Sequence, residues 1–427
     1  MNKIPMVKLG ELTEIARGSS PRPISDQAYF DKGTIPWIKI ADATASNRFI
    51  YKTKQHVNEY GASFSRKLPA GSLIVAASGT LGFAIFLGIE GCVHDGWLYF
   101  KRIDKSKLDK YYLYYLLNTL TRSFNAVSYG AAIQNINTGI LKNTEIPLLP
   151  LYEQKKIAAI LSAYDDLIEN NKRRIDLLEK MAEEIYREWF VRFRFPGYQT
   201  SEFEKGVPKG WEHGKADQFF EHVKGKSYTS DEISEHDENS MPFVTLKSFN
   251  RGGGYRGDGL KSYAGKFSDK QVVFEGDVVM AVTDMTQNRE VVGRVARIPD
   301  LGEKGAVISL DVIKLVPKTI SATYLYSYMK YSGFGDFIKS FANGANVLHL
   351  KPDLVTQQVI VVPPEDLRNK FDAFVAPIHE RVGVLTKEIE NLEETKNSLL
   401  PRLISGKLTV ADLDIQFPPS MVDDEAA

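Results

Sequence analysis

Few side chains in this sequence have the types and spacing of reactive groups. The stretch Gly252-Gly253-Gly254-Tyr255-Arg256-Gly257 has the backbone freedom of a phosphate loop but lacks the Lys and the hydroxyl such a loop needs, and no Gly-x-x-x-x-Gly-Lys-Ser/Thr occurs anywhere. The Asn-Pro-Pro-aromatic and Asp-Pro-Pro-Tyr tetrapeptides of amino-methyltransferases are absent as well. Pro299-Asp300 and Pro352-Asp353 could each open a nuclease carboxylate set, yet neither is followed at short range by an acid-x-Lys on a plausible strand, and both read as loops. Cys92 and His94 are two metal ligands without a second pair, short of a structural zinc site. What remains is basic. Lys247, Arg251, Arg256, Lys261, Lys266 and Lys270 surround the Gly-rich stretch and suit either a phosphate-bearing ligand or a plain solvated surface. An acid run, Asp231, Glu232, Glu235, Asp237 and Glu238, precedes them. The pattern is that of a binding chain, not an enzyme.

The elements that position these residues form a duplication. Ile157, Leu161, Tyr164, Ile168, Asn171, Ile175, Leu178, Ala182, Ile185 and Trp189 recur at alternating steps of four and three. Adding 214 to each number gives Phe371, Val375, Ile378, Val382, Leu385, Ile389, Leu392, Lys396, Leu399 and Leu403. A 3.5-residue repeat points one apolar stripe of a helix at a partner helix, so each seam has a mate within the chain. Asn171 and Lys396 interrupt the stripes; Asn171 suits a register device and Lys396 a side chain snorkelling near a helix end. The stretches before the helices also correspond. Ile35-Pro36-Trp37-Ile38 answers Met241-Pro242-Phe243-Val244, Gly71-Ser72-Leu73-Ile74-Val75 answers Gly276-Asp277-Val278-Val279-Met280, and Ile146-Pro147 answers Ile360-Val361. The offset drifts from 206 through 205 to 214, which places insertions in the globular part.

Apolar runs punctuated by Gly, Pro and Asn predict strands at 35–40, 72–77, 83–88 and 97–103, then at 243–246, 277–282, 291–298 and 307–316. Helices are predicted at 110–117 and 322–329, where the Tyr stripe has helical spacing and suits core better than a base-stacking platform. The domain reading is 1–150 globular, 151–195 helix, 196–363 globular, 364–406 helix and 407–427 tail. An antiparallel helix pair lets the second globular part stay compact. Pro377 is expected to kink or open the second helix, and Pro401 to close it. The secure overlap, 164–185 against 378–399, is 22 residues or roughly 33 Å, close to one DNA turn of about 34 Å.

At 427 residues, 43% hydrophobic and 25% charged, the composition is that of a folded chain of two or three domains. Its net charge of zero hides an uneven distribution: residues 1–150 carry 18 basic and 11 acidic side chains, whereas 364–427 carry 7 and 13. A single cysteine excludes an internal disulfide framework, and neither a signal-peptide core nor a spanning apolar run is present, so a cytoplasmic location is expected.

The order of these motifs, from Gly18-Ser19-Ser20-Pro21 through Ile146-Pro147-Leu148-Leu149-Pro150-Leu151-Tyr152-Glu153-Gln154-Lys155-Lys156-Ile157 to Leu399-Leu400-Pro401-Arg402-Leu403-Ile404-Ser405-Gly406-Lys407-Leu408, resembles the specificity subunit of type I restriction-modification systems over nearly the whole chain. The resemblance implies an α+β architecture: two β-rich globular target recognition domains joined by two long antiparallel coiled-coil helices, a pseudo-two-fold tandem repeat. Each domain would read one half of an asymmetric bipartite site in double-stranded DNA. The helices would set the gap and dock two modification (adenine methyltransferase) subunits, to which restriction (motor and nuclease) subunits add. S-adenosylmethionine, ATP and Mg are then expected on those partners, with no cofactor or metal in this chain and no membrane contact.

The family has no fixed base-reading motif, so candidates follow from residue type in loops. They are Lys39, Asp42, Asn47, Arg48, Gln134 and Asn135 in the first half, and Lys247, Arg251, Arg256, Gln287, Asn288, Arg289, Asn343 and Asn346 in the second. Arg and Lys suit guanine, Asn and Gln suit adenine. A coiled-coil scaffold with protein-binding heads, and a specificity subunit of a methylation-only or related phage-defence system, stay open as alternatives.

Overall fold

A computed structural model describes residues 4–44, 46–79, 81–130, 135–204, 206–234 and 240–422. It divides into two compact units, one formed by Met1–Asn171 with Glu388–Ala427 and the other by Lys172–Lys387.

In the first unit the apolar runs Leu73–Ala76 and Ala84–Leu87 are buried on both faces and lie inside a five-stranded sheet. Its order is Thr13–Arg17, Trp97–Ile103, Leu73–Ala76, Ala84–Leu87, Phe49–Ile50. A second sheet runs His56–Val57, Ile35–Ile38, Gly91–Val93, Arg66–Leu68, with Ile35–Ile38 parallel to Gly91–Val93. The second unit repeats this plan. Phe220–Lys224, Val312–Pro317, Val278–Ala281 and Val295–Arg297 form one sheet. The other holds Met241–Val244 parallel to Ala306–Ile308, with Val272–Val273 antiparallel beyond it. A close backbone crossing is repeated too: a Cβ on Gly18 would fall 2.2 Å from the His94 carbonyl oxygen, and one on Gly225 would fall 2.0 Å from that of Ser309. Only glycine fits either crossing.

Several strands are shorter than the apolar runs that predict them, and side chains that take backbone N–H groups explain it. Ile35–Ile38 stops where Asp42 accepts the Lys39 N–H (2.8 Å), and Met241–Val244 stops where Ser248 Oγ accepts the Thr245 N–H (3.2 Å). The run 291–298 contributes only Val295–Arg297 because Asp284 takes the N–H groups of Val291 and Val292. The run 307–316 is two strands, separated by a turn in which the Val312 N–H donates to the Ser309 carbonyl.

The first long helix spans Leu151–Tyr186 and the second Glu365–Ile404. Within the first unit they run antiparallel: Asn171 Nδ2 donates to Glu388 (3.0 Å), Lys396 pairs with Asp165 (2.7 Å), and Lys156 Nζ reaches the Ala411 carbonyl (2.7 Å). Within the second unit the direction is the same, with Phe371 against Tyr186 and Trp189, and Phe374 against Trp189. Lys396 is therefore ion-paired instead of snorkelling. Every apolar seam residue among Ile157, Leu161, Tyr164, Ile168, Ile175, Leu178, Ile185, Ile378, Val382, Leu385, Ile389, Leu392 and Leu399 is buried or half-buried. Pro377 does not open the second helix, which begins at Glu365, nor does Pro401 end it. Pro377 and Ala373 are both exposed, so water can satisfy the carbonyl left without its i+4 donor.

The Tyr stripes are core. Tyr111, Tyr112 and Tyr115 are buried with Leu73, Phe86 and Leu161, and Tyr324 and Tyr326 with Tyr186 and Phe371. Residues 405–422 return to the first unit, where Val410 and Met421 join its core and Tyr111 Oη donates to the Ser420 carbonyl (2.9 Å).

His379 is the counterpart, at the offset of 214, of Asp165. It is buried against the Tyr326 ring (centroids 5.2 Å apart), and neither ring nitrogen has a hydrogen-bond partner. Burial, with Arg297 and Lys330 adding repulsion, holds its pKa down to about 4. The folded value lies below the unfolded one of about 6.5, so the unfolded chain takes up the proton first as pH falls. Stability present above about pH 6.5 should be lost towards pH 4, by about 3 kcal/mol in full. Thermal melts at neutral pH and pH 5 should show a smaller acid loss for His379→Phe than for the native chain; equal losses would count against this account.

Candidate nucleic-acid interface

In the first unit the loop following Ile35–Ile38 is organised by the buried carboxylate of Asp42. Its Oδ2 accepts the Lys39 N–H (2.8 Å) and the Thr53 hydroxyl (3.0 Å), and its Oδ1 accepts the Lys54 N–H (3.2 Å). Asp42 thus shapes the loop and has no surface to present. Arg48 also faces inward at 3% exposure: its guanidinium pairs with Asp166 and lies 5.0 Å from the Phe49 ring centroid. These two candidates are therefore buried, Asp42 by its bonds within the loop and Arg48 by its pairing with Asp166. Lys39 is half-buried over the Trp37 ring (4.9 Å), and Asn47 and Asn135 are exposed. Gln134 lies outside the described residues, as do Glu235, Asp237 and Glu238 of the acid run. Asp231 and Glu232 form a short capped turn in which Glu232 accepts the Thr229 N–H (2.9 Å).

In the second unit five candidates come together on two adjoining loops. Thr283–Asp284 pairs with Leu348–His349, and Gln287 Nε2 donates to the Ala345 carbonyl (2.9 Å) across the gap. Arg289 donates to the Ala342 carbonyl (3.3 Å) from a left-handed backbone conformation (φ 53°). Asn288, Asn343 and Asn346 are exposed on the same two loops. The Gly-rich loop joins this edge through Arg251, which pairs with Glu290 (3.1 Å), and through the Gly252 N–H, which donates to the Glu290 carbonyl (3.2 Å). Arg256 is held by Asp258 through two bonds of 2.5 and 2.7 Å, and Lys247 is exposed.

The organising group is Asp284, 2% exposed. It accepts the N–H groups of Thr286 (2.8 Å), Val291 (2.7 Å) and Val292 (3.1 Å) and the Thr286 hydroxyl (2.8 Å). Burial opposes its ionisation, but these donors outweigh burial and hold its carboxyl below the usual range. The result is a braced finger on which Met285, next to Asp284, stands at 69% exposure. Sequence reasoning passed over both residues. The available signal was Asp284-Met285-Thr286, an Asx-turn pattern, inside the 11 residues of 283–293 that answer only five, 78–82, in the first half.

Chemically, the finger offers amide and guanidinium donors and acceptors beside an exposed apolar side chain, on loops held by buried bonds. Nothing in this set is a nucleophile beside a base. Among the described residues no group of three or more His, Cys, Asp or Glu is placed to hold a metal, and no helix is long and apolar enough to cross a membrane.

Residues 1–180 match the family described as the type I restriction modification DNA specificity domain. The chain is 28% identical over 426 residues to the type I restriction enzyme MjaIX specificity subunit of Methanocaldococcus jannaschii, covering 95% of this chain and 94% of that one. It is 23% identical over 424 residues to the MjaVIII specificity subunit of the same organism, covering 96% and 94%. Among solved structures, the S subunit of a type I restriction-modification system from M. genitalium shares the fold, with a TM-score of 0.58 at 17% identity over 95% of this chain and 97% of that one.

Proposed function

Because residues 1–180 match the type I restriction modification DNA specificity domain and the chain is similar over nearly its whole length to two type I specificity subunits, we propose that it belongs to that family and is the DNA sequence-specificity subunit of such a complex. The globular parts, 1–150 and 196–363, each read one half of an asymmetric bipartite site. The helical segments, 151–195 and 364–406, set the gap and dock two adenine methyltransferase subunits, to which restriction subunits can add. S-adenosylmethionine, ATP and Mg act on those partners, in the cytoplasm, and this chain carries no catalytic step.

The observation that carries this reading is a duplicated frame whose loops have diverged. The strands answer one another, while the five residues 78–82 of the first half are answered in the second by the eleven of the finger built on Asp284. Two different loops on one frame are what two different half-sites require, since sequence is read by side chains at base edges and not by phosphate contacts. In the second half Gln287, Asn288, Arg289, Asn343 and Asn346 supply the hydrogen-bonding groups. Met285 supplies an apolar contact of the kind a thymine methyl accepts. In the first half the exposed Asn47 and Asn135 are the matching groups.

The test is genome-wide adenine methylation, measured by single-molecule sequencing in cells that contain the cognate methyltransferase subunit with or without this chain. One asymmetric bipartite motif that depends on the chain is the expected result. Unchanged methylation in cells where the complex assembles would refute the reading.

A further inference from the structure

The first unit contains a concave cleft of about 440 Å³ beside the Asp42 loop. Lys32, Lys39, Lys54 and His56 line it with the amides of Gln27 and Gln55, and no carboxylate faces into it. Among the described residues none of the three ammonium groups has an ion-pair partner, although acidic and basic residues are equal in number over the whole chain. Lys32 and Lys54 are exposed and Lys39 is half-buried over the Trp37 ring, so the three stay together at one cleft only if the fold fixes their backbones.

Two features do so. The buried carboxylate of Asp42 takes the backbone N–H groups of both Lys39 and Lys54, which anchors those two lysines from below. Lys32 sits in the left-handed region at φ 52°, and the next residue is packed so closely that a Cβ on Gly33 would fall 2.5 Å from the His56 carbonyl oxygen. Strained, over-determined backbone of this kind concentrates at functional sites. The second unit keeps the frame but not the cations: Thr245 stands at the place of Lys39, Ser248 at that of Asp42, and Leu260 at that of Lys54.

We propose that this cleft is a phosphate clamp that grips the DNA backbone through Lys32, Lys39 and Lys54, a sequence-independent hold in the first unit whose Lys39 and Lys54 have no counterparts at the matching places of the second. The proposal rests on the DNA-specificity function above. Lys39, a candidate for base reading on residue type alone, is reassigned by this placement to the backbone. Each lysine that neutralises a phosphate releases about 0.9 of a counterion on B-DNA, so three contribute a salt slope of about 2.7.

The experiment uses the assembled complex with its methyltransferase subunits and two duplexes, one carrying the methylated motif and one lacking it. Dissociation constants are measured as a function of KCl for the native chain, for Lys32→Gln/Lys39→Gln/Lys54→Gln, and for the corresponding triple Arg variant. The Gln variant should bind both duplexes more weakly by the same factor and show a log–log slope shallower by about 2.7, and the Arg variant should keep the native slope. The methylated motif should be unchanged in both. An unaltered slope in the Gln variant, or a relaxed or altered motif, would overturn the clamp while leaving the specificity reading in place. A complex that shows the expected slope change but writes no bipartite motif would support the clamp and refute that reading.

Discussion

Replacing Asp284 by alanine is expected to reduce methylation at the native target by about 100-fold or more while leaving the first unit folded. The carboxylate accepts three backbone N–H groups and a hydroxyl at a site with 2% exposure. Leaving buried donors without a partner costs about 1–3 kcal/mol each, and about 1.4 kcal/mol is a factor of ten in an equilibrium. Even partial loss therefore exceeds what is needed to melt the finger that holds Gln287, Asn288 and Arg289. Two measurements check it: the methylated fraction at target sites, and hydrogen exchange at the Val291 and Val292 amides. Native methylation with fast-exchanging amides would show that the finger does not read DNA. Asp284→Asn, which keeps one acceptor oxygen, should fall between the native chain and the alanine variant.

The second large effect is expected from lengthening the helices. Inserting seven residues near Arg174 and seven near Glu388 preserves the seam period while adding about 10.5 Å of helix to each, the length of about three base pairs. If the helices set the gap, methylation should leave the native motif and appear at one with the same half-sites and about three more unread base pairs. An unchanged gap would exclude the ruler role. Insertion in one helix alone should misalign the Asn171–Glu388 and Asp165–Lys396 pairs. That variant should lose both motifs.

How much was legible in the sequence follows from what each signal depends on. The helical seams were readable because a 3.5-residue period survives substitution at single positions, so Lys396 could be seen as an interruption even though its partner Asp165 could not. The strand positions were readable, but their ends were not. A strand stops where a side chain takes the next N–H, as Asp42, Ser248 and Asp284 do, and that depends on a bond formed only in the fold. The candidate interface was the least legible. Residue type alone cannot separate Arg48, buried against Asp166, from Arg289, held at the base of an exposed finger. Met285 was passed over because an apolar residue in a sequence reads as core until its exposure is known. Prolines were over-read, since their cost depends on whether the orphaned carbonyl is open to water, as the exposure of Ala373 and Pro377 allows.

The first unit is discontinuous in the chain: residues up to 171 are completed by residues from 388 onward, including Leu403, Ile404, Val410 and Met421 in its core. During synthesis the ribosome makes this unit's beginning first and its end last, with the whole second unit emerging between. The nascent first half must wait, with the apolar surfaces of Leu73, Phe86 and Tyr111 incompletely covered, until residues 403–421 have been made. A premature stop within residues 388–422 would therefore leave the second unit whole and damage the half that was made first.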